Sequence, residues 1–399
     1  MADAEIMRVA VVVPRYGADI GGGAESQARG FAEEGVRRGW QVEVWTTCVR
    51  SHYTWENVYP EGTSRLNGVL VRRFPVHLRN LEQHGRLAVK LDARQRLSSI
   101  EQYKWLEGGA HSPRLYDHVA RHAKGFDAVV VLPYASPLMN LAAWAAPERV
   151  IMWPCLHDEP YAYLEPTRLL LESVWGVMFN SPEERDLAVK QLMVEMQHHV
   201  VLGEGVTLAA HRPQTISISR DLLYVGRLEG GKNLILLYEY MQRYASEGGE
   251  SRLIVVGSGP LQPPAHPAFE YRGFVSEEEK ARAYTAALAL CQPSLNESFS
   301  LTIMESWLAG RPVLVHGNCS VTRGHVQRSS GGLWFTSYDD FTGAIEWLRA
   351  NEAGATQMGE NGQQYVQSNY TWPSVVARFE RLVKQWRGEQ VDVAVEALG

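Results

Sequence analysis

Two glutamates with seven residues between them, Glu297 and Glu305, are the side chains of this chain best suited to grip a hydroxyl-rich ligand. A pair at one spacing means little in a sequence with 45 acidic residues; the flanks give it meaning. An apolar run ends at Pro293-Ser294, Glu297 falls in the loop that follows, and a helix is predicted from there to Gly310, just before Pro312. Ser298 or Ser300 is expected to cap that helix with its hydroxyl. Free amides and the positive helix end favour an anion at such a place. Carboxylates accept hydrogen bonds from neighbouring hydroxyls, so one glutamate suits a ribose diol and the other a sugar. The plainer alternative has Glu305 merely answering the helix dipole and Glu297 solvated.

Three further constellations carry possible chemistry. The segment 224–233, Tyr-Val-Gly-Arg-Leu-Glu-Gly-Gly-Lys-Asn, follows a strand-like run and leads into a helical one, with Arg227 and Lys232 on the turn. It is one residue short of a P-loop, which makes an ATPase a rival reading. Against that rival, Asn233 lacks the hydroxyl that would hold magnesium, and no apolar strand ends in a second aspartate ligand. His157 lies where a strand at 151–156 runs into a loop, beside Asp158 and Glu159. Its plainer role is that of a satisfied packing histidine. Gly21, Gly22 and Gly23, followed by Glu25, sit after the strand 8–14, where a tight turn of positive φ would also account for them.

The elements that must position these residues read as two α/β halves, each opened by a buried strand, a glycine-rich turn and a helix. The expected division is 1–212 for a first Rossmann-like domain, 213–371 for a second, and 372–399 for an amphipathic C-terminal helix. A ligand cleft is expected between the carboxyl ends of the two sets of strands. A length of 399 residues accommodates two cores. With 45% hydrophobic and 21% charged residues the composition is that of a soluble globular protein. A net charge of −6 disfavours nucleic acid as a partner. No run reaches the ~18 apolar residues of a membrane span. The start of the chain lacks a signal-peptide pattern, and four scattered cysteines suit a reducing cytosol. Between Arg79 and Lys104, six basic residues stand against three acidic ones. With Leu87, Leu91, Leu97 and Ile100 they could form one amphipathic helix that touches anionic lipid, or a solvated helix packed on its own domain.

The stretch from Glu297 to Gly310 resembles the Glu-x7-Glu signature of the retaining, GT-B-fold glycosyltransferases of family 4, of the kind that build bacterial glycans and polysaccharides. That signature is often written E-G-F-G-L-x-x-x-E-A-x-A-x-G. Here it reads Glu-Ser-Phe-Ser-Leu-Thr-Ile-Met-Glu-Ser-Trp-Leu-Ala-Gly, with Ser298 and Ser300 replacing both loop glycines. The turn 225–233 is similar to the family's V-G-R-x-x-x-x-K-N/G. The resemblance implies a GT-B architecture and a metal-independent, retaining transfer of a hexose-like sugar from a nucleotide diphosphate. Catalytic roles would fall to His157, Glu297, Arg227 and Lys232, the two cations neutralising the departing diphosphate. Donor binding would involve Gly22, Gly23, Arg227, Lys232, Phe274, the loop Ser298-Phe299-Ser300-Leu301, and Glu305 on the ribose. Phe274 belongs to Arg272-Gly-Phe-Val275, which matches the segment that holds the nucleobase. No cofactor or metal is implied, and Asp-x-Asp is absent. The nucleotide sugar is the co-substrate, and the acceptor would be a glycan, a lipid-linked glycan or a small molecule. Location would be cytoplasmic, with peripheral contact at the inner membrane face through 79–104. The family's N-G-V-D is replaced by Gly203-Glu-Gly-Val-Thr207. A catalytically silent protein that binds a sugar nucleotide remains an alternative.

Overall fold

The computed structural model describes residues 6–209 and 218–389. By its internal contacts the chain divides into two units, 1–205 with 372–399 and 206–371. The expected boundary at 212/213 lies outside the described residues.

The first unit contains β1 (Arg8–Val12), β2 (Gln41–Thr47), β3 (Gly62–Leu66) and β4 (Val69–Phe74). A short ribbon of β5 (His77–Leu78) and β6 (Ala110–His111) precedes β7 (Ala128–Val131), β8 (Val150–Met152), β9 (Gly176–Phe179) and β10 (His199–Val201). Among the described residues the main sheet has eight strands in the order β10-β9-β8-β7-β1-β2-β4-β3, parallel except for β3 against β4. Both faces are covered, which is why β1 reads as an unbroken apolar run. Val9 and Val11 join one buried cluster while Ala10 and Val12 join another. The helix Trp372–Trp386 supplies Val375, Val376, Phe379, Leu382 and Val383 to the first of these clusters. Its Phe379 ring packs edge-on against Phe31, with centroids 4.9 Å apart.

The segment expected as one helix over 79–104 is two, Leu81–Asp92 and Ser99–Gly108. Arg94 takes the left-handed conformation (φ 55°) and ends the first helix. Ser98 and Glu101 then form a reciprocal capping box that starts the second. Of the six basic side chains, Arg79, Arg86 and Lys90 are paired with Glu107, Glu82 and Glu101. Leu87, Leu91 and Leu97 are buried, whereas Val89 and Ile100 are exposed.

The second unit holds β11 (Leu222–Val225), β12 (Leu253–Val256), β13 (Phe269–Gly273), β14 (Ala289–Gln292), β15 (Val313–His316) and β16 (Gly332–Phe335). They form a parallel sheet ordered β13-β12-β11-β14-β15-β16. Winding reverses between β11 and β14 here, and between β1 and β7 in the first unit. Such switch points open a crevice at the carboxyl ends of the strands, where ligands of α/β sheets bind.

Candidate active site

In the second unit the turn after β11 and the loop after β14 flank the switch point, and they carry the two strongest motifs of the sequence. The turn runs through a short 3-10 segment, Gly230–Lys232, to Asn233, which is left-handed (φ 54°) and opens the helix Leu234–Ser246. Asn233 Nδ2 donates to the carbonyl of Pro293 at 3.1 Å, tying turn to loop. Tyr224 donates its hydroxyl to the Arg227 carbonyl at 2.9 Å. Burial, with Glu297 nearby, raises the pKa of that phenol, so it stays a donor. The turn also lies directly on the one after β12: Leu228 N–H donates to Ser258 O at 2.9 Å. A Cβ on Gly257, whose φ is 138°, would sit 1.8 Å from the Gly226 carbonyl oxygen, so only glycine allows this approach.

Lys232 and Glu297 meet across the switch point, Nζ to Oε1 at 2.7 Å, with side chains 21% and 10% exposed. Arg227 pairs with Glu229 at 3.1 Å and is more open, its side chain 58% exposed. Glu305, in the second turn of the helix Leu301–Leu308, is gripped from one neighbouring helix, Glu277–Ala286. Lys280 Nζ lies 2.9 Å from one carboxylate oxygen and the Tyr284 hydroxyl donates to the other at 2.7 Å. Burial works against the Lys280 ammonium, but Glu305 and Glu277 outweigh it and its pKa is raised. Burial beside Glu305 pushes the Tyr284 phenol well up. These partners went unnoticed in the sequence. Their signal was available: an i, i+4 pair on a helix announced by the capping box of Ser276 and Glu279.

The helix after the loop is not capped in the way expected. Its N-cap residue is Ser300, with no side-chain cap bond. Ser300 adopts φ 76°, and its hydroxyl lies 3.4 Å from both Gln292 Nε2 and Thr302 Oγ1. A residue in left-handed backbone cannot aim its hydroxyl as an N-cap in the extended region does. The serine thus keeps the backbone conformation that glycine adopts freely. Ser298 does not take positive φ. Both serines are buried, and the Phe299 ring packs against His325 and Tyr370. Leu301 is the first residue of the helix. A pocket of about 430 Å³ beside the turn after β12 is lined by Val256, Arg272, Val275, Glu279, Arg282 and Ala283. Phe274, singled out in the sequence, does not line it and is 84% exposed.

In the first unit, Gly22 and Gly23 follow β1 and open the helix Gly23–Arg37. Of the three consecutive glycines only Gly22 takes positive φ, 146°, so the turn requires glycine at one position and not three. A Cβ there would strike the Glu25 carboxylate at 2.1 Å, and Glu25 itself is paired with Arg15. His157 lies in the loop after β8, about a third exposed, with Nδ1 3.9 Å from Glu159 Oε1. Glu159 accepts a hydrogen bond from Tyr134 at 2.7 Å. Each unit thus brings its own motif residues to the carboxyl ends of its strands.

An α/β chain of two parallel-sheet units, with cationic and carboxylate side chains at the second unit's switch point, has the architecture of the GT-B fold. Sucrose-phosphate synthase from Thermosynechococcus elongatus shares it with TM-score 0.68 at 18% identity, over 96% of this chain and 99% of that one. HepE of Anabaena, solved in complex with UDP and glucose, does so with TM-score 0.66 at 13% identity, over 95% of this chain and all of that one. Residues 219–351 match the family described as Glycosyl transferases group 1. An uncharacterized glycosyltransferase of Methanocaldococcus jannaschii is 20% identical over 98% of this chain and its own full length. The family match is thus confined to the second unit, and the likeness to the solved glycosyltransferases over nearly the whole chain is one of GT-B fold.

Proposed function

We propose that this protein transfers a hexose-like sugar from a nucleotide diphosphate, without a metal ion and with retention of anomeric configuration, to a glycan, glycolipid or small-molecule acceptor. The observation that carries the reading is the pairing of Lys232 with Glu297 at 2.7 Å beside a carboxylate, Glu305, held by two donors. Lys232 and Arg227 offer fixed positive charge to a leaving diphosphate, work that preorganised cations do without a metal. Glu305 takes the ribose hydroxyls, its orientation set by Lys280 and Tyr284. Glu297 contacts the transferred sugar once the donor phosphates take over its lysine, and His157 is a further sugar-contacting residue on this reading. Gly22 and Gly23 allow backbone approach to the donor, and Arg272–Val275 borders the base. No cofactor takes part.

The P-loop alternative loses ground on one observation. The residue after the lysine, Asn233, is left-handed and spends its side chain on Pro293, whereas a P-loop puts a metal-binding hydroxyl there. Ser300, holding glycine-like backbone, speaks against a catalytically silent protein. Incubation with labelled UDP-, GDP-, ADP- and TDP-hexoses separates these readings. Sugar release or transfer should persist in excess EDTA; activity lost on chelation and restored by magnesium would return the P-loop reading.

The same reading places the protein in the cytoplasm, at the inner membrane face if its acceptor is lipid-linked. Its cysteines are unpaired thiols, which suits a reducing compartment, and no described helix is long and apolar enough to cross a membrane. Exposed Val89 and Ile100 among the basic side chains of 81–108 would make the lipid contact.

A further inference from the structure

The loop that presents His157 is not held by its own sequence. Cys155, two residues earlier, adopts the left-handed conformation (φ 55°), which a side chain bearing Cβ adopts at a cost of roughly 1–2 kcal/mol. Such a conformation persists only where its surroundings over-determine it. They do so here through one buried carboxylate. Glu184 is 1% exposed, and the two oxygens accept backbone N–H groups from two different strand ends. Leu156 N–H donates to one and Asn180 N–H to the other, both at 2.5 Å. Leu156 precedes His157 directly, and Asn180 follows β9. Ser181 caps the helix Pro182–Asp186 by accepting from the Glu184 N–H at 3.2 Å, which fixes the root of the glutamate.

A second layer locks the first. The Asn180 side-chain oxygen accepts from Trp153 Nε1 and from Gln27 Nε2, each at 2.7 Å. The oxygen of that same Gln27 amide accepts from Cys155 Sγ at 3.1 Å. Gln27 lies on the helix opened by Gly22 and Gly23, so that helix and the segments after β8 and β9 are joined in one network. Burial pushes the Glu184 pKa up to about 8, against the pull of the backbone donors. This carboxyl is bonded to main chain at two separate loops, and each bond satisfies a backbone N–H that would otherwise be left without a partner. Its effect is to set a loop.

We infer that Glu184 is a positioning residue for His157: it clamps the Leu156 amide to the end of β9 and so fixes where the imidazole stands. This rests on His157 addressing the sugar, and the test separates the two ideas. Glu184→Gln keeps size but turns an amide NH₂ toward one of the backbone donors, so that bond is lost. In hydrogen–deuterium exchange of the full-length protein, peptides covering 153–159 should exchange faster in Glu184→Gln, with β1, β7 and the second unit unchanged. Uniform acceleration throughout the first unit, or none in 153–159, overturns the inference. In turnover of UDP-, GDP-, ADP- or TDP-glucose, Glu184→Gln should lower kcat by roughly 10- to 100-fold, the scale of a misplaced catalytic group, and leave KM for the donor little changed. The double variant with His157→Ala should be no slower than His157→Ala alone, because both changes remove one function. Additive losses would leave Glu184 as general scaffolding and overturn the inference. Full activity in His157→Ala would sink the histidine's role and leave the exchange result to decide the clamp. Should Glu184→Gln fail to fold, Gln27→Met, which cuts the Asn180 and Cys155 bonds without burying a charge, goes through the same measurements with the same outcomes.

Discussion

The two units present their strand ends in contrasting ways. The second builds its edge from ion pairs: Lys232 with Glu297, Lys280 with Glu305, Arg227 with Glu229. The first has one such pair, Arg15 with Glu25, and otherwise builds its edge from backbone, with a turn that needs Gly22 and a histidine loop pinned by a buried carboxyl group. Charges already in place suit a ligand that is itself charged, since little reorganisation is left to do when it arrives. Main-chain shape suits a neutral, hydroxyl-rich partner that must be oriented more than neutralised. On the proposed function, the donor nucleotide and the Glu297 contact to the sugar accordingly depend on the second unit's charges, and the His157 contact on the first unit's backbone.

The comparison breaks most visibly at Lys232. Removing one preorganised charge from a transition state costs about 10²- to 10³-fold in kcat. Lys232→Ala should therefore nearly silence turnover while the fold survives, as judged by circular dichroism. A loss under threefold would mean that the diphosphate is neutralised elsewhere.

Glu305→Ala sharpens the division. Losing a charged hydrogen bond to the ribose costs roughly 1.5–3 kcal/mol, one to two decades in nucleotide affinity by calorimetry. No change in affinity would detach Glu305 from the nucleotide. A smaller effect, and of opposite sign, is expected at Ser300. Glycine there relieves the left-handed strain of φ 76°, worth roughly 1 kcal/mol, so Ser300→Gly should raise the melting temperature and keep activity. A lowered melting temperature would show that the hydroxyl's contacts to Gln292 and Thr302 outweigh the strain.

The weakest expected effect belongs to the first unit's helices 81–108. At ~1 kcal/mol per basic residue near an anionic surface, the sequence excess of three (six Lys/Arg minus three acidic residues over 79–104) gives only loose, salt-sensitive binding to anionic liposomes. Arg86, Arg94 and Arg96 changed together to Glu should abolish it. Equal binding to neutral liposomes, or none at low salt, would leave these helices as ordinary solvated surface.

How much of this could be read from the sequence follows the same contrast. The second unit was legible because its motifs are local: a strand, a turn and a helix within ten residues put Arg227 and Lys232 on one loop, and the same logic put Glu297 before a helix. What joins Lys232 to Glu297 is sheet order, which brings β11 beside β14, and no local pattern states it. The partners of Glu305 sit on another helix and were missed for that reason. The capping role given to Ser298 or Ser300 failed because residue type signals a cap without revealing backbone hand. The span 79–104 was read as one helix because Leu87, Leu91 and Leu97 suggest a stripe; the break at Arg94 arises from a conformation its side chain does not announce. Glu184 was passed over because the glutamate pair in Asn180-Ser-Pro-Glu-Glu184 looks like a solvated first helical turn. Only the packing of β8 against β9 shows what it holds.

Thermal unfolding in the presence of UDP-, GDP-, ADP- and TDP-sugars, on the unaltered protein and on Lys232→Ala, tests the central claim most directly. One donor at about 100 times its dissociation constant should add ~2.7 kcal/mol of stability, and Lys232→Ala should lose most of that gain. Stabilisation by none of these sugars, or a gain undiminished in Lys232→Ala, would contradict the claim that the turn after β11 receives a nucleotide diphosphate.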